Sequence, residues 1–250
     1  MIMAHGFGSD QTAWRHLLPM FEQTHRIVLF DHVGHGGAHP DAFAPDQYPS
    51  ADAFARDIIN IIDELDLDRI DFVGHSVSCI AGMLASLERH ARFRSLSLIS
   101  ASPRYLDDEE TGYTGGFTKE DLNSLYESMN KRFDEWVDSF AELVVGNRDR
   151  PGLAAEFAAT MSSLPVNAAV HLAHVIFESD YRSLPERIIH PTLILQPQND
   201  PAVPLQVGFY LQRHIPDNTF AIIDAEGHLP HLASPREVGG PLRSFIASLP

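Results

Sequence analysis

Short apolar runs and amphipathic stripes alternate along the first hundred residues. Ile2 to Ala4 is a short apolar run that ends in His5-Gly6-Phe7-Gly8. Trp14, Leu17, Leu18 and Phe21 then recur at helical spacing, Ile27 to Phe30 reads as a strand ending at Asp31, and Phe54, Ile58, Ile61, Ile62 and Leu65 form a further helical stripe. Ile70 to Val73 reads as a buried strand broken by Gly74-His75-Ser76. Ile80, Met83, Leu84 and Leu87 follow at helical spacing, and Leu96 to Ile99 reads as the next strand. This rhythm predicts an α/β fold with a mostly parallel sheet flanked by helices. Right-handed crossovers gather its loops at the C-terminal ends of the strands, where ligands bind.

The rhythm stops between about Arg104 and Pro185. Helical patterns replace it: Leu122, Leu125, Tyr126 and Met129; Phe133, Trp136, Val137 and Phe140; Leu153, Phe157 and Met161; Val170, Ala173, His174 and Phe177. Helices inserted there are expected to form a cap over the strand ends. The alternation then resumes with a strand from Thr192 to Leu195 that ends near Asn199-Asp200. A helix through Val207, Tyr210 and Leu211 and a strand from Phe220 to Ile223 follow, leading to Gly227-His228. A last helix over Glu237 to Ser248 is weakened by Gly239, Gly240 and Pro241. No linker interrupts the chain. The expected organisation is one domain, with a core of 1–103 and 186–250 and a cap insertion over about 104–185.

Composition narrows the partners. A formal net charge of −16 over 250 residues repels nucleic-acid phosphates and anionic membranes. No apolar run approaches the ~20 residues of a membrane span. The N-terminus shows no basic region, long apolar stretch or cleavage site of a signal peptide, so the expected location is the cytoplasm. The single cysteine, Cys79, excludes an intrachain disulfide and reads as a small buried hydrophobe.

The central chemical signal is a strand, then Gly74-His75-Ser76-Val77-Ser78, then a helix. A sharp strand-to-helix turn with small neighbours exposes a serine hydroxyl and aims backbone N–H groups at a reacting carbonyl. A serine hydroxyl needs a base, and the base needs an orienting carboxylate. His228 follows the last strand and Asp200 follows the strand before it, so the chain order is Ser, Asp, His. Asp224 is the rival carboxylate, and Asp200 is preferred on position. The oxyanion donors expected are the N–H groups of Val77 and of Phe7, whose flanking glycines let the backbone approach a ligand. His231 beside His228 suggests a metal pair, but no further ligands cluster in the sequence; it reads as structural or at the rim. No metal or cofactor is expected. The aromatics Tyr113, Trp136, Phe140, Phe157 and Phe177 either pack helix against helix or supply the apolar inner face of the cap.

At these residues the chain resembles the RsbQ-type bacterial stress-signalling hydrolases and their plant relatives, the karrikin and strigolactone receptors of the α/β-hydrolase superfamily. The resemblance rests on His5-Gly6-Phe7-Gly8-Ser9-Asp10-Gln11 with Trp14, Phe30-Asp31-His32-Val33-Gly34, the Ser76 turn, Ser102-Pro103-Arg104-Tyr105-Leu106, Gly115-Gly116-Phe117, and Gly227-His228-Leu229-Pro230-His231-Leu232. It implies an α/β-hydrolase fold with a four-helix V-shaped cap and slow hydrolysis of a small hydrophobic ester or lactone, with turnover that serves signalling. It implies a pocket lined by Phe7, Tyr113, Trp136, Phe140, Phe157, Phe177, Ala202 and His228. It also implies a signalling partner, in the bacterial regulators a PAS-domain phosphatase. A small-molecule receptor that signals through a partner protein is the alternative. Haloperoxidase chemistry on the same fold is a further reading, and Ser76 argues against a dehalogenase, which needs an aspartate there. Two departures stand out. Ser78 replaces the glycine of the general motif, as in the plant branch. Two antiparallel strands that precede His-Gly in the family are missing, which is expected to leave the Ile27–Phe30 strand as an exposed sheet edge, the alternatives being a misassigned start, a truncated gene or another cover for that edge.

Overall fold

The structure is a computed structural model that describes residues 1–39 and 42–250. Its sheet has the order β2-β1-β3-β4-β5-β6, with every pairing parallel. The strands are β1 (Ile2–Ala4), β2 (Val28–Leu29), β3 (Ile70–His75), β4 (Phe93–Ile99), β5 (Thr192–Asn199) and β6 (Asn218–Glu226). Side chains alternate between the two faces as strand geometry requires. Phe72, Leu96, Leu98 and Ile194 enter one core, and Met3, Val73, Leu193 and Leu195 enter the other. The first core is covered by α1 (Ala51–Glu64), α2 (Val77–Glu88) and α7 (Leu205–His214). The second is covered by Trp14, Leu17 and Phe21 together with α9 (Pro235–Ser248), which follows the single turn α8 (Pro230–Ala233).

Between β4 and β5 lie four helices, α3 (Lys119–Lys131), α4 (Phe133–Val145), α5 (Pro151–Ser162) and α6 (Val166–Phe177). Thr118 and Asp121 start α3 with reciprocal side-chain-to-backbone bonds. The segment that leads into the four helices and the one that leaves them meet at a bridge between Arg104 and Asp180.

Three expectations change. The Trp14–Phe21 stripe is buried as predicted, but its backbone forms 3-10 turns over Gln11–Trp14 and Leu18–Met20 rather than an α-helix. Pro19 lacks the N–H an α-helix needs there and its ring opposes the carbonyl one turn back. β2 lies at one edge of the sheet, as expected, but it is only two residues long and half-buried. β3 extends through Gly74 and His75, so the strand runs directly into Ser76. No helix among the described residues is long and apolar enough to cross a membrane.

Candidate active site

Ser76 lies between β3 and α2 with φ +55° and ψ −123°, a conformation that a non-glycine residue adopts only when its surroundings enforce it. Those surroundings are tight. A Cβ on Gly74 would lie 2.9 Å from the Ser78 carbonyl, and one on Gly6 would lie 2.6 Å from His75 Nδ1 and 3.0 Å from Ser76 Cβ. The glycines therefore let the first loop and the elbow pack against each other. Ser78 occupies the position where a glycine is usual, and it is used. Its hydroxyl donates to the His5 carbonyl at 2.5 Å. That fixes its only proton, so His32 Nε2–H is the donor in the 2.7 Å contact with Ser78 Oγ. Ser78 thus ties the start of α2 to the loop after β1.

The loops at the C-terminal ends of β5 and β6 bring two more groups to Ser76. Asp200 carries a fully buried carboxylate. Its Oδ1 accepts from the Ala202 and Val203 N–H groups at 2.9 and 3.0 Å. His228 Nδ1 donates to Asp200, 2.9 Å from Oδ2 and 3.1 Å from Oδ1. With that proton on Nδ1, Nε2 is the acceptor, and the Ser76 hydroxyl donates to it at 3.0 Å. The serine proton is then committed, so in the 3.1 Å contact between Ser76 Oγ and Tyr105 Oη the tyrosine is the donor. Burial holds the Tyr105 phenol well above its usual range, so it stays protonated at neutral pH. Asp224, the rival carboxylate, is exposed on β6 and has no part in this chain.

Ser76 faces an enclosed, mostly apolar cavity whose open space is only about 20 Å³, enough for a single water. Phe7, Phe140, Phe157, Phe177 and Ala202, all expected from the sequence, line it. Phe7 comes from the loop after β1. The Val77 N–H is the first of α2 and has no intrahelical partner.

Two expected pocket residues lie elsewhere. The Tyr113 hydroxyl donates to the Arg104 carbonyl at 2.9 Å, and its ring meets Tyr210 edge-on at 5.1 Å with the Arg182 guanidinium 5.2 Å away. It lines a separate surface concavity of about 800 Å³. Trp136 stacks on Phe140 at 4.9 Å, which puts it behind the lining rather than in it. Sequence reading misses Tyr105, Val144, Ile176 and Leu229. Tyr105 carries a usable signal: it sits in the loop just past β4, at the same strand edge as the other groups.

His231 is not at the rim. It is fully buried between Trp14 and His75, with ring centroids 4.4 Å from each. Burial holds His75 well below the usual imidazole range and pushes His231 down to about 3. Asp31 accepts from Gln11 N and Nε2 and from Gly37 N, as a loop-bracing carboxylate does. Among the described residues no three His, Cys, Asp or Glu side chains are placed to share a metal ion.

The model of the alpha/beta hydrolase family matches residues 1–239. The chain is 41% identical to a probable esterase of Oryza sativa subsp. japonica over 94% of this chain and 86% of that one. It is 37% identical to a strigolactone esterase of Arabidopsis thaliana, over 98% and 91%, and 38% identical to the karrikin insensitive 2 receptor CA of Petunia hybrida, over 94% and 87%. Among solved structures, the hydrolase olei00960 from Oleispira antarctica superposes with a TM-score of 0.95 at 34% identity, covering 99% of this chain and 90% of that one. A strand-to-helix serine turn on a parallel sheet, helices inserted after β4 and these likenesses lead to one assignment: the chain belongs to the alpha/beta hydrolase family, in the group that holds the strigolactone esterases and karrikin insensitive 2 receptors.

Proposed function

We propose that the protein is a serine hydrolase of small hydrophobic esters or lactones. The observation that carries this reading is the unbroken hydrogen-bond chain Tyr105–Ser76–His228–Asp200 at the floor of an apolar cavity. Ser76 Oγ attacks the carbonyl carbon while His228 Nε2 takes its proton. Asp200 holds the imidazole in the tautomer that leaves Nε2 free to do so, and stabilises the imidazolium. The tetrahedral oxyanion is met by the Phe7 and Val77 N–H groups. Collapse expels the alkoxide, which leaves with the proton from His228. Water, activated by the same imidazole, then hydrolyses the acyl-enzyme.

The closed cavity favours a slow enzyme. An ester does not fit the open space until the helices over Ser76 (α3–α6, acting as a cap) move apart, and their return shields the acyl-enzyme from water, so deacylation limits turnover. Slow, ligand-coupled closure is also what a receptor needs, and the likeness to named receptors as well as esterases supports a signalling role; the lack of a signal-peptide pattern in the sequence supports placing it in the cytoplasm. The partner would be a protein of the kind the RsbQ-type regulators use, a PAS-domain phosphatase. The test is a stopped-flow burst of p-nitrophenolate from p-nitrophenyl acetate. One equivalent per chain is expected, abolished in Ser76→Ala; full activity in Ser76→Ala refutes the reading.

A further inference from the structure

The backbone of His228 is held on both sides. Its carbonyl accepts from His75 Nε2–H at 2.7 Å, which ties it to the residue before Ser76. Its N–H donates to the Val144 carbonyl at 2.6 Å, in the last turn of α4. The same helix lines the cavity through Phe140 and Val144. One end of α4 therefore faces ligand space and also carries the carbonyl that fixes the His228 amide.

A single buried side chain locks this junction. Asn147 follows α4 with φ +53°, after Gly146 at φ +60°, and is 7% exposed. Its Nδ2 donates to the Val145 carbonyl at 2.9 Å and to the Glu226 carbonyl at 3.0 Å, bridging the helix end to the strand end before His228. Its Oδ1 accepts from Arg150 Nη2. Arg150 Nη1 donates to the Ala233 carbonyl at 2.7 Å, at the end of α8. Gly227 makes the approach sterically possible: at φ +90°, a Cβ there would lie 2.2 Å from the Val145 carbonyl oxygen. α5 starts at Pro151, the residue after Arg150, so the junction sits in the connection between two cavity-lining helices.

We propose that Asn147, oriented by Arg150, is a positioning residue for His228: it clasps the end of α4 to the Glu226–His228 turn, so the base is aligned on Ser76 only while α4 lies closed over the cavity. The proposal rests on the reading of His228 as the base of a serine hydrolase. Substrate entry needs α4 and α5 to move, and that motion pulls on the clasp. Entry and alignment then exclude each other, and acyl transfer waits for reclosure.

The test compares the wild type, Asn147→Gly, Arg150→Gln and the double variant. Glycine accepts the positive φ without strain, and Arg150 is exposed, so both single variants are expected to fold. The readouts are the p-nitrophenyl acetate burst, the rate of Ser76 labelling by a fluorophosphonate, KM and the melting temperature. Asn147→Gly is expected to slow the burst and the labelling by at least about tenfold, as misplacement of a reacting group does, with KM changed less than about threefold. Arg150→Gln is expected to slow both less, and the double variant no more than Asn147→Gly alone, because the two act as one unit. A lowered melting temperature with burst and labelling rates within about twofold of wild type overturns the proposal, since a purely structural contact behaves that way. A wild-type chain that neither bursts nor is labelled takes down the serine reading itself, and this one with it.

Discussion

Replacing Asp200 by asparagine removes one charge and almost no volume, yet the geometry dictates a large effect. Asp200 Oδ1 accepts from two backbone N–H groups, those of Ala202 and Val203. An asparagine must keep its carbonyl oxygen on that side, because an amide NH₂ there would face two donors. The NH₂ group then takes the place of Oδ2, the atom 2.9 Å from His228 Nδ1. It can only donate, so Nδ1 must give up its proton and become the acceptor. The imidazole proton moves to Nε2 and points at Ser76 Oγ, 3.0 Å away. The base is blocked by its own proton, an effect worth about 10⁴-fold in kcat where this tautomer switch occurs in a serine triad. The fold keeps its buried hydrogen bonds, so the melting temperature should move little. The assay is the acylation burst at pH 7 on Asp200→Asn, with Asp224→Asn as the control. Asp224→Asn should match the wild type. A loss of less than about tenfold in Asp200→Asn refutes the tautomer argument, and a large loss in Asp224→Asn refutes the assignment of the carboxylate.

Other outcomes follow from the same contacts. Tyr105→Phe removes the donor 3.1 Å from Ser76 Oγ; losing one such buried bond should lower the stability seen in urea unfolding by about 0.5–1.5 kcal/mol, and an unchanged midpoint contradicts the donor role. Gly227→Ala puts a Cβ 2.2 Å from the Val145 carbonyl oxygen at φ +90°, so urea unfolding should show at least about 2 kcal/mol of lost stability, and an unchanged midpoint rejects the close approach. Stability should also fall with pH. His5, His32, His35, His75 and His231 are buried, and desolvation depresses all five, His35 and His231 to about 3. Unfolded histidine titrates near 6.5, so above that pH neither state is protonated and the stability is fully present. Below it the unfolded chain takes up protons that the fold refuses, and stability is lost down towards pH 3, by up to about 1.4 kcal/mol per pH unit for each group. Urea midpoints that stay flat from pH 7 to pH 5 contradict this.

The parts of the fold that are legible from sequence are those where local pattern and burial agree. α1 reads from Phe54, Ile58 and Ile62, which are buried along one stripe of a helical backbone, while Leu65 of the same stripe falls just past the helix end and is exposed. The Trp14–Phe21 segment shows where pattern and backbone separate. Trp14, Leu17 and Phe21 are buried as their spacing demands, but Pro19 tightens the chain into 3-10 turns that present the same residues. β3 reads too short because Gly74 and His75 look like a loop, whereas their backbones continue the ladder with Leu98 and Ile99 of β4. At the site, Ser76, His228 and Asp200 are legible because each follows a strand, and a parallel sheet brings such ends together. The lining is only partly legible. Helical spacing places Trp136 and Phe140 one turn apart on the same face, and only packing decides that Phe140 meets the cavity while Trp136 stacks behind it. Asn147 is invisible for a related reason. Its amide reaches backbone carbonyls, one of them far away in sequence, and is held by a neighbour's side chain, and no motif encodes such contacts.

The central claim is that Ser76 Oγ is the nucleophile, and intact-mass spectrometry tests it most directly. The protein is exposed to a panel of small lactones and activated esters, quenched in acid, and digested to locate any added mass. A single acyl adduct on the peptide carrying Ser76, absent from Ser76→Ala and accumulating in the burst phase, is the predicted result. Hydrolysis that proceeds undiminished in Ser76→Ala, or an adduct that maps to another residue, contradicts the account.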